Sequence, residues 1–236
     1  MTTTSRALCV VVAGALCALA TAATPPTASP KAKSYFELHP PPKSLPIPRV
    51  PDDNAMTDEK VELGHHLFYE KRLSVNGTTS CATCHIQVKA FTDGRTTARG
   101  ATGELTQHNA MSLTNAAYNS ANTWANPAQP TLEKQMDIPM FSEHPVELGL
   151  SGIDAQVISA LKDDDTYAKL FPAAFPEDHD PFTTANVKKA IASFERTLLS
   201  GDTPYDRFFY ASDTTALSAD ASKGPSVFFS EKCECY

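Results

Sequence analysis

Two cysteines and a histidine stand close together in the segment Cys81-Ala82-Thr83-Cys84-His85. C-x-x-C-H is the spacing at which c-type haem is attached to a protein. The two thiols add across the two vinyl groups of the porphyrin, and the adjacent histidine falls under the iron as its proximal ligand. The segment therefore predicts covalent haem c on Cys81 and Cys84, with the iron bound to His85.

Other chemistries use the same residue types. A zinc site usually takes four protein ligands, and the next cysteines, Cys233 and Cys235, lie far down the chain. A redox-active C-x-x-C belongs in a β-α-β pattern, and the sequence shows no such pattern. A chance match without haem is the third alternative. The haem interpretation is therefore the favoured one.

The N-terminal residues indicate export. Residues 1–22 are typical of a secretory signal peptide, with Arg6 before an apolar stretch and a cleavage signature ending at Ala22. The apolar stretch is too short and too weakly flanked for a membrane-spanning helix. Haem attachment on an exported chain indicates the periplasm of a Gram-negative bacterium. We therefore predict a periplasmic protein with no membrane span after removal of the signal.

Length and charge bound the remaining possibilities. Of the 236 residues, about 210 follow the predicted signal, enough for one large or two small domains. The formal net charge is −7, and no basic patch is visible, which argues against a nucleic-acid partner. An acidic balance suits a basic redox partner.

The hydrophobic pattern predicts an all-α fold. Apolar residues recur at helical spacing in four stretches, and Thr57 is placed to cap the first. No alternating strand pattern and no internal repeat is visible. Residues 23–51 are rich in proline, which predicts an extended arm, and loops dominate from about residue 74 to residue 145. The predicted helices cover about residues 57–68, 153–170, 185–199 and 227–230.

Five phrases of the sequence resemble the bacterial di-haem cytochrome c peroxidase/MauG family. Two further phrases, PDDNAM at 51–56 and TWANP at 123–127, are most similar to its MbnH-like branch. The resemblance covers about residues 36–236. It implies cytochrome c-like helical domains that carry one haem each. The five phrases are FYEKRLS at 68–74, SCATCH at 80–85, AFTDGR at 90–95, NAMSLTNAAYN at 109–119 and FERTLLS at 194–200.

The resemblance also predicts a domain division. Residues 52–200 correspond to the peroxidatic haem domain, and residues 201–236 to the start of a second haem domain. In this family a second C-x-x-C-H follows a phrase like FFSEK at 228–232, whereas here the sequence ends in CECY. Cys235 stands where the first thiol of the second site is expected. We therefore expect an N-terminal fragment that attaches one haem, with two in the full-length protein.

Four residues take predicted roles from the resemblance. Trp124 matches a tryptophan that bridges the two haems of the family. Gln135 and Glu147 resemble the distal pair of the peroxidatic haem, where a carboxylate moves a proton from the near to the far oxygen of hydrogen peroxide. Asn109 matches a position whose carbonyl joins an inter-haem calcium site, which implies calcium as a further cofactor.

The region beyond the haem motif lacks one family feature. Many peroxidases of this family carry a distal histidine there, but residues 98–105 contain none. MauG-like relatives keep the corresponding haem five-coordinate, so we predict an open iron. His108 is predicted near a haem propionate or at the surface. The candidates for a methionine sixth ligand are better interpreted as core residues; they are Met111, Met136 and Met140.

These observations predict an enzyme. The favoured hypothesis is a periplasmic di-haem c-type peroxidase that reduces hydrogen peroxide at the His85 haem with electrons from a small cytochrome or cupredoxin. One alternative is a MauG/MbnH-like high-valent di-haem oxidase that modifies a partner protein through Trp124. The other is a non-enzymatic mono-haem electron carrier, which the pair Gln135 and Glu147 argues against.

Overall fold

Helices account for the regular structure of the protein. The computed structural model describes residue 1, residues 34–124 and residues 127–235; the predicted signal, apart from Met1, lies outside the described residues. Within them, β pairing is limited to isolated bridges, so the predicted all-α fold is confirmed. The helices are α1 (Tyr35–Leu38), α2 (Asp58–Phe68), α3 (Cys81–Cys84), α4 (Leu132–Gln135), α5 (Asp137–Phe141), α6 (Asp154–Lys162), α7 (Tyr167–Ala174), α8 (Thr184–Glu195), α9 (Pro204–Tyr210) and α10 (Gly224–Phe228).

Helices α2 and α8 form the centre of the fold. As the sequence predicts, Thr57 caps α2, because its hydroxyl accepts the N–H of Lys60 at 3.2 Å. Each helix buries one apolar stripe, and the two stripes pack against each other. The buried residues at this contact include Leu63, Leu67 and Phe68 of α2 and Val187, Ala190 and Ile191 of α8.

Gly64 lets the two helices approach closely. A methyl group at this position would lie 1.9 Å from the carbonyl oxygen of Ala190 and 3.0 Å from the Cβ atom of Phe194. A backbone oxygen within a helix cannot move aside without shifting the whole helix. Gly64 is therefore required by the close contact between α2 and α8.

We expect Gly64→Ala to destabilise the holoprotein by roughly 3 kcal/mol, the upper end of the range for overpacked cores. Gly224→Ala is the matched control, because a methyl group there would meet no atom within 4 Å. Denaturant unfolding followed by far-ultraviolet circular dichroism measures both variants. Equal stability of Gly64→Ala and the wild type would contradict the close contact.

Three of the predicted helices differ from the observed ones. The stretch predicted over 153–170 is divided into α6 and α7, because Asp164 accepts the N–H groups of Thr166 and Tyr167 and so starts a new helix. The helix predicted over 185–199 ends at Glu195, where Arg196 is its C-cap. The last predicted helix lies slightly earlier than expected, with Pro225 in its first turn.

The proline-rich arm is only partly extended. Its described part contains the single-turn helix α1, whose N-cap Ser34 forms a capping box with Glu37. Phe36 within this turn is buried, and the hydroxyl of Tyr118 donates to the carbonyl of Pro46 at 2.7 Å. Burial of one aromatic ring explains why the turn forms in a segment whose composition favours an extended chain.

The long loop region between α2 and α6 builds the walls of a cavity. Three short helices, α3, α4 and α5, interrupt it where the sequence predicts loops. Backbone hydrogen bonds fasten the rest, such as Val75 N–H to Leu148 O and Leu150 N–H to Met140 O, both at 2.8 Å. In the described part of the chain, no helix has the length and apolar character needed to cross a membrane.

Candidate functional site

A cavity of about 370 Å³ opens among the loops beside α3 and α8. Its lining brings together most of the residues that the sequence singles out for chemistry. The remaining one, Cys235, is not part of this lining. The predicted site residues in the cavity wall are Cys81, Cys84, His85, Asn109, Trp124, Gln135 and Glu147.

The single turn of α3 places the two thiols one helical turn apart. Ser80 and Thr83 form a capping box at its start, and the N–H of His85 closes the turn on the Cys81 carbonyl at 2.9 Å. Burial raises the pKa of Cys81 to about 12, and it raises that of Cys84 as well. Reactive redox cysteines have lowered pKa values, so this environment argues against the redox alternative.

The imidazole of His85 is held in one orientation. Its Nδ1 atom lies 2.9 Å from the carbonyl oxygen of Phe91, and a carbonyl only accepts, so Nδ1 carries the proton. The lone pair on Nε2 is then left for a metal, as in most histidine ligands. Burial lowers the pKa of His85, which favours the neutral ring that iron requires.

A tight loop supplies the carbonyl of Phe91 that accepts from His85. Ala90 and Phe91 both adopt left-handed backbone conformations, with φ of 56° and 59°. The N–H of Phe91 returns to the carbonyl of Ile86 at 3.0 Å, and the N–H of Ile86 binds Thr92 O at 3.2 Å. These bonds close the loop around the ring of His85 and keep the Phe91 carbonyl against it.

Glu147 reaches the cavity from a segment fixed at its backbone. Its carbonyl accepts the N–H of Ala101 at 2.7 Å. A methyl group at Gly100 would lie 1.8 Å from the carbonyl oxygen of Val146, so glycine is required for this close approach. Burial raises the pKa of Glu147, which brings the carboxyl closer to the neutral range where a general acid–base group works best.

Gln135 is the last residue of α4. Thr131 caps this short helix by accepting the N–H of Lys134 at 3.2 Å, and the flanking residues Leu132 and Met136 are buried in the core. The anchored turn therefore presents the half-buried Gln135 amide to the same cavity as Glu147.

Trp124 lies at the cavity edge with 51% of its surface exposed. Its ring packs against the ring of His108, with 4.7 Å between centroids, and its backbone N–H donates to the sulfur of Met111 at 3.5 Å. His108 thus contacts the predicted relay residue, a role that the sequence does not predict. Asn109 follows with its side-chain amide donating to Ala110 O at 3.3 Å.

The donor set fits a c-type haem. Two thiols stand one helical turn apart beside a neutral, oriented imidazole, and part of the cavity lining is apolar, as a porphyrin face requires. Among the described residues, no group of three or more histidine, cysteine or acidic side chains could hold a separate metal ion. The apolar lining residues include Leu113, Leu132, Met136 and Leu148.

The sequence model of the di-haem cytochrome c peroxidase family matches residues 58–215. This range contains the C-x-x-C-H motif and all the predicted cavity residues. The chain belongs to the di-haem cytochrome c peroxidase family. The family resemblance that the sequence motifs indicate is therefore confirmed.

Curated relatives cover both branches of this family. The methylamine utilization protein MauG of Methylophilus methylotrophus is 36% identical over 187 residues, which are 79% of this chain and 52% of the relative. The cytochrome c peroxidase Ccp of Escherichia coli K12 is 32% identical over 191 residues, covering 81% of this chain and 39% of the relative. The chain thus spans about half the length of the first of these relatives and less of the second.

A solved structure supports the same fold. The crystal structure of a MauG-like protein associated with microbial copper homeostasis superposes with a TM-score of 0.78 at 44% identity. The match covers 82% of this chain and 55% of that chain. The cytochrome c-like helical architecture expected for the di-haem peroxidase family is therefore confirmed.

Sequence reasoning missed one acidic residue of this family member's cavity. Glu195 is 5% exposed, lines the cavity and belongs to the phrase FERTLLS, but it has no role in the sequence analysis. Burial is the main cause that raises its pKa to about 8. A signal was present, because Glu195 continues the buried stripe of Val187 and Ile191 at four-residue spacing.

Cys235 lies apart from the haem cavity. It is exposed, and its sulfur contacts the carbonyl of Cys233 at 3.3 Å. Its assignment to a second haem site therefore stays a prediction.

Proposed function

We propose that this chain is the peroxidatic haem domain of a periplasmic di-haem c-type peroxidase, which reduces hydrogen peroxide at the haem on His85. One observation carries the proposal: a single cavity holds the haem-attachment motif together with the half-buried carboxyl of Glu147 and the amide of Gln135. An electron carrier needs only the attachment motif and a closed iron. The distal acid therefore favours an enzyme.

Three residues hold the haem in this proposal. Cys81 and Cys84 form the thioether bonds, and His85 binds the iron through Nε2 while its Nδ1–H donates to Phe91 O. When bound, the haem supplies the iron that binds peroxide and takes up its oxidising equivalents. The hydrogen bond to Phe91 fixes the ring direction and raises the basicity of the ligand nitrogen.

Glu147 manages the protons of the reaction. Its carboxylate accepts the proton from the near oxygen of hydrogen peroxide and returns it to the far oxygen, so that the O–O bond breaks with loss of water. Gln135 hydrogen-bonds the bound peroxide or water. Two electrons and two further protons complete the reduction to a second water, with a small cytochrome or cupredoxin as the electron donor.

A second candidate function uses the same cavity. The half-exposed ring of Trp124 packs at a tilt against the ring of His108 at the cavity edge, so an electron can pass between the haem and the surface through the indole. Oxidation of a partner protein through Trp124, as expected for a MauG-like enzyme, is this alternative. Oxidation of a candidate partner protein by the haem-loaded protein, with hydrogen peroxide as the electron acceptor and no donor cytochrome present, separates it from peroxide detoxification.

Further features belong to the proposal for the whole protein. The chain spans about half of its MauG relatives, so the second haem, the assignment of Cys235 to it and the calcium near Asn109 are expectations for the longer protein. Export through residues 1–22 to the periplasm is part of the same proposal, because c-type haem is attached outside the cytoplasm.

We expect the His85 haem to be high-spin and open in the ferric holoprotein as isolated. The loop over residues 98–106 contains no histidine and is closed on itself, with Thr106 N–H on Ala98 O at 3.0 Å. Electron paramagnetic resonance should show a high-spin signal that disappears on addition of hydrogen peroxide.

Added imidazole is the control, because it should convert the signal to a low-spin one. A purely low-spin spectrum of the isolated protein would contradict the proposal and would indicate Met111 or His108 as a sixth ligand. Both residues line the cavity.

A further inference from the structure

Glu195 is a buried acid without a hydrogen-bond partner at one of its oxygens. It ends α8 and lines the haem cavity with 5% of its surface exposed. Among the described residues, no donor lies within hydrogen-bond distance of its Oε2 atom. A buried, unpartnered carboxylate is costly, so such a group favours its neutral form unless a positive charge comes near.

Arg196, the next residue, compensates the Glu195 carboxylate only in part, because its guanidinium is paired with Glu133. Arg196 donates through both Nη atoms to the carboxylate of Glu133, at 2.8 and 2.9 Å. Asn54 adds a third hydrogen bond to Glu133 at 2.7 Å. For Glu195, burial raises the pKa, the charge of Arg196 lowers it and that of Glu133 raises it again.

Other elements packed around Glu195 add few charges. Helix α3 presents Cys81, whose pKa is raised by burial and then by the Glu195 carboxylate. Helix α2 presents His65, whose ring packs on Phe194 at 5.0 Å. Helix α6 contributes Asp154 at the opposite end of α8, where it accepts a hydrogen bond from Thr184.

The cavity itself is therefore the place from which a compensating charge can come. We propose that Glu195 is a redox-linked acid of the haem cavity, which releases its proton when the haem on Cys81 is oxidised and binds it again on reduction. Loss of one electron adds a positive charge to the haem, and that charge stabilises a nearby carboxylate most strongly where water is excluded. This inference rests on the haem site proposed above.

The step balances with an external electron acceptor. One electron leaves the haem for the acceptor, the O–H bond of Glu195 breaks, and the proton passes through the cavity to solvent. Reduction by a donor reverses each of these changes. Glu195 forms no bond to the iron in this scheme and acts through the field in the cavity.

Spectroelectrochemical titration of the holoprotein across pH, with soluble redox mediators as acceptor and donor, tests the proposal. Between the pKa that Glu195 has in the oxidised protein and the pKa it has in the reduced protein, the redox equilibrium constant of the wild-type His85 haem should change close to tenfold per pH unit, or about 59 mV. In Glu195→Gln the dependence should be largely lost. Glu143→Gln is the matched control, because that carboxyl is exposed, and it should behave as the wild type.

Redox-difference infrared spectra provide a second measurement. The carbonyl stretch of a protonated carboxylic acid should disappear on oxidation of the wild type and be absent from Glu195→Gln. If Glu195→Gln yields no holoprotein, Glu195→Asp keeps the acid and should shift the band instead.

Three results would overturn the role of Glu195. The first is a wild-type pH dependence that persists in Glu195→Gln, and the second is a dependence that is lost in Glu147→Gln but kept in Glu195→Gln. A pH-independent potential in haem-loaded wild type would refute it as well. A sample without covalent haem would instead refute the proposed haem site, so the two failures are distinguishable.

Discussion

Replacement of Glu147 by glutamine is expected to slow the reaction of the holoprotein with hydrogen peroxide by roughly 10²–10⁴-fold, the scale of a positioned general acid–base group. Haem content and peroxide binding should remain nearly unchanged, because the amide fills the same space. The rate falls because an amide cannot perform the proton transfer between the two peroxide oxygens. Burial already raises the pKa of this carboxyl, so the site exchanges protons in a range closer to neutrality.

Stopped-flow absorbance spectroscopy of the haem band measures the effect. Glu143→Gln provides the control, since this exposed glutamate precedes Glu147 by four residues and lies outside the cavity lining. It should react at the wild-type rate. A wild-type rate in Glu147→Gln would show that the carboxyl is structural and that the distal assignment is wrong.

Replacement of Arg196 by methionine is expected to destabilise the holoprotein by about 3–5 kcal/mol, the range for breaking one side of a buried ion pair. Arg196 is 3% and Glu133 17% exposed at their side chains, and two hydrogen bonds join them. The variant leaves Glu133 buried beside Asn54 without its cation. It also removes the positive charge next to Glu195.

The pH dependence of this effect has a definite sign. Burial alone would raise the pKa of Glu133, but the hydrogen bonds and charge of Arg196 lower it below its usual value. The pair therefore stabilises the fold above the unfolded-state pKa of about 4.3, and this stability is lost as the pH falls through the folded-state pKa. The difference between wild type and Arg196→Met should shrink accordingly in acid.

Denaturant unfolding at several pH values measures both effects. Lys162→Met serves as the control, because Lys162 pairs with Asp180 at the surface, where ion pairs contribute little. Its stability should stay near that of the wild type. Equal stability of Arg196→Met and Lys162→Met near neutral pH would contradict the structural role of the buried pair.

Local patterns predict the helices well where one signal dominates. The Thr57 cap and the apolar spacing that follows define α2 from its first residue to its last. The prediction fails over 153–170, because periodicity continues across Asp164 while its side chain starts a second helix. A side-chain hydrogen bond to the following backbone is too local to interrupt a hydrophobic pattern. The turn at Phe36 is missed because its reason is the burial of one aromatic ring, which the composition of the segment does not indicate.

The site is predictable in part for a similar reason. Cys81, Cys84 and His85 form a contiguous motif, so their chemistry is visible in the sequence before any folding. Glu195 shares the cavity with them only because the fold brings the end of α8 and the turn of α3 to the same cavity wall. Its position on an apolar stripe was the available signal, and a lone acid on such a stripe indicates a buried carboxyl without indicating what it faces.

Contacts that depend on close backbone approach also escape the sequence. Gly100 holds the segment of Glu147 through its lack of a side chain, and the ring of His108 meets Trp124 across two separate loops. Neither contact follows from a fixed spacing between the residues along the chain. Both follow from the way the long loops close around the cavity.

The most direct test of the account is peptide mass spectrometry of the protein produced with a c-type haem maturation system. The peptide that contains Cys81, Cys84 and His85 should carry the mass of one haem, and the haem stain should persist on a denaturing gel. Cys81→Ser with Cys84→Ser should lose both signals. A colourless wild-type band with Cys81 and Cys84 recovered as free thiols would contradict the central claim that this cavity is a covalent haem site.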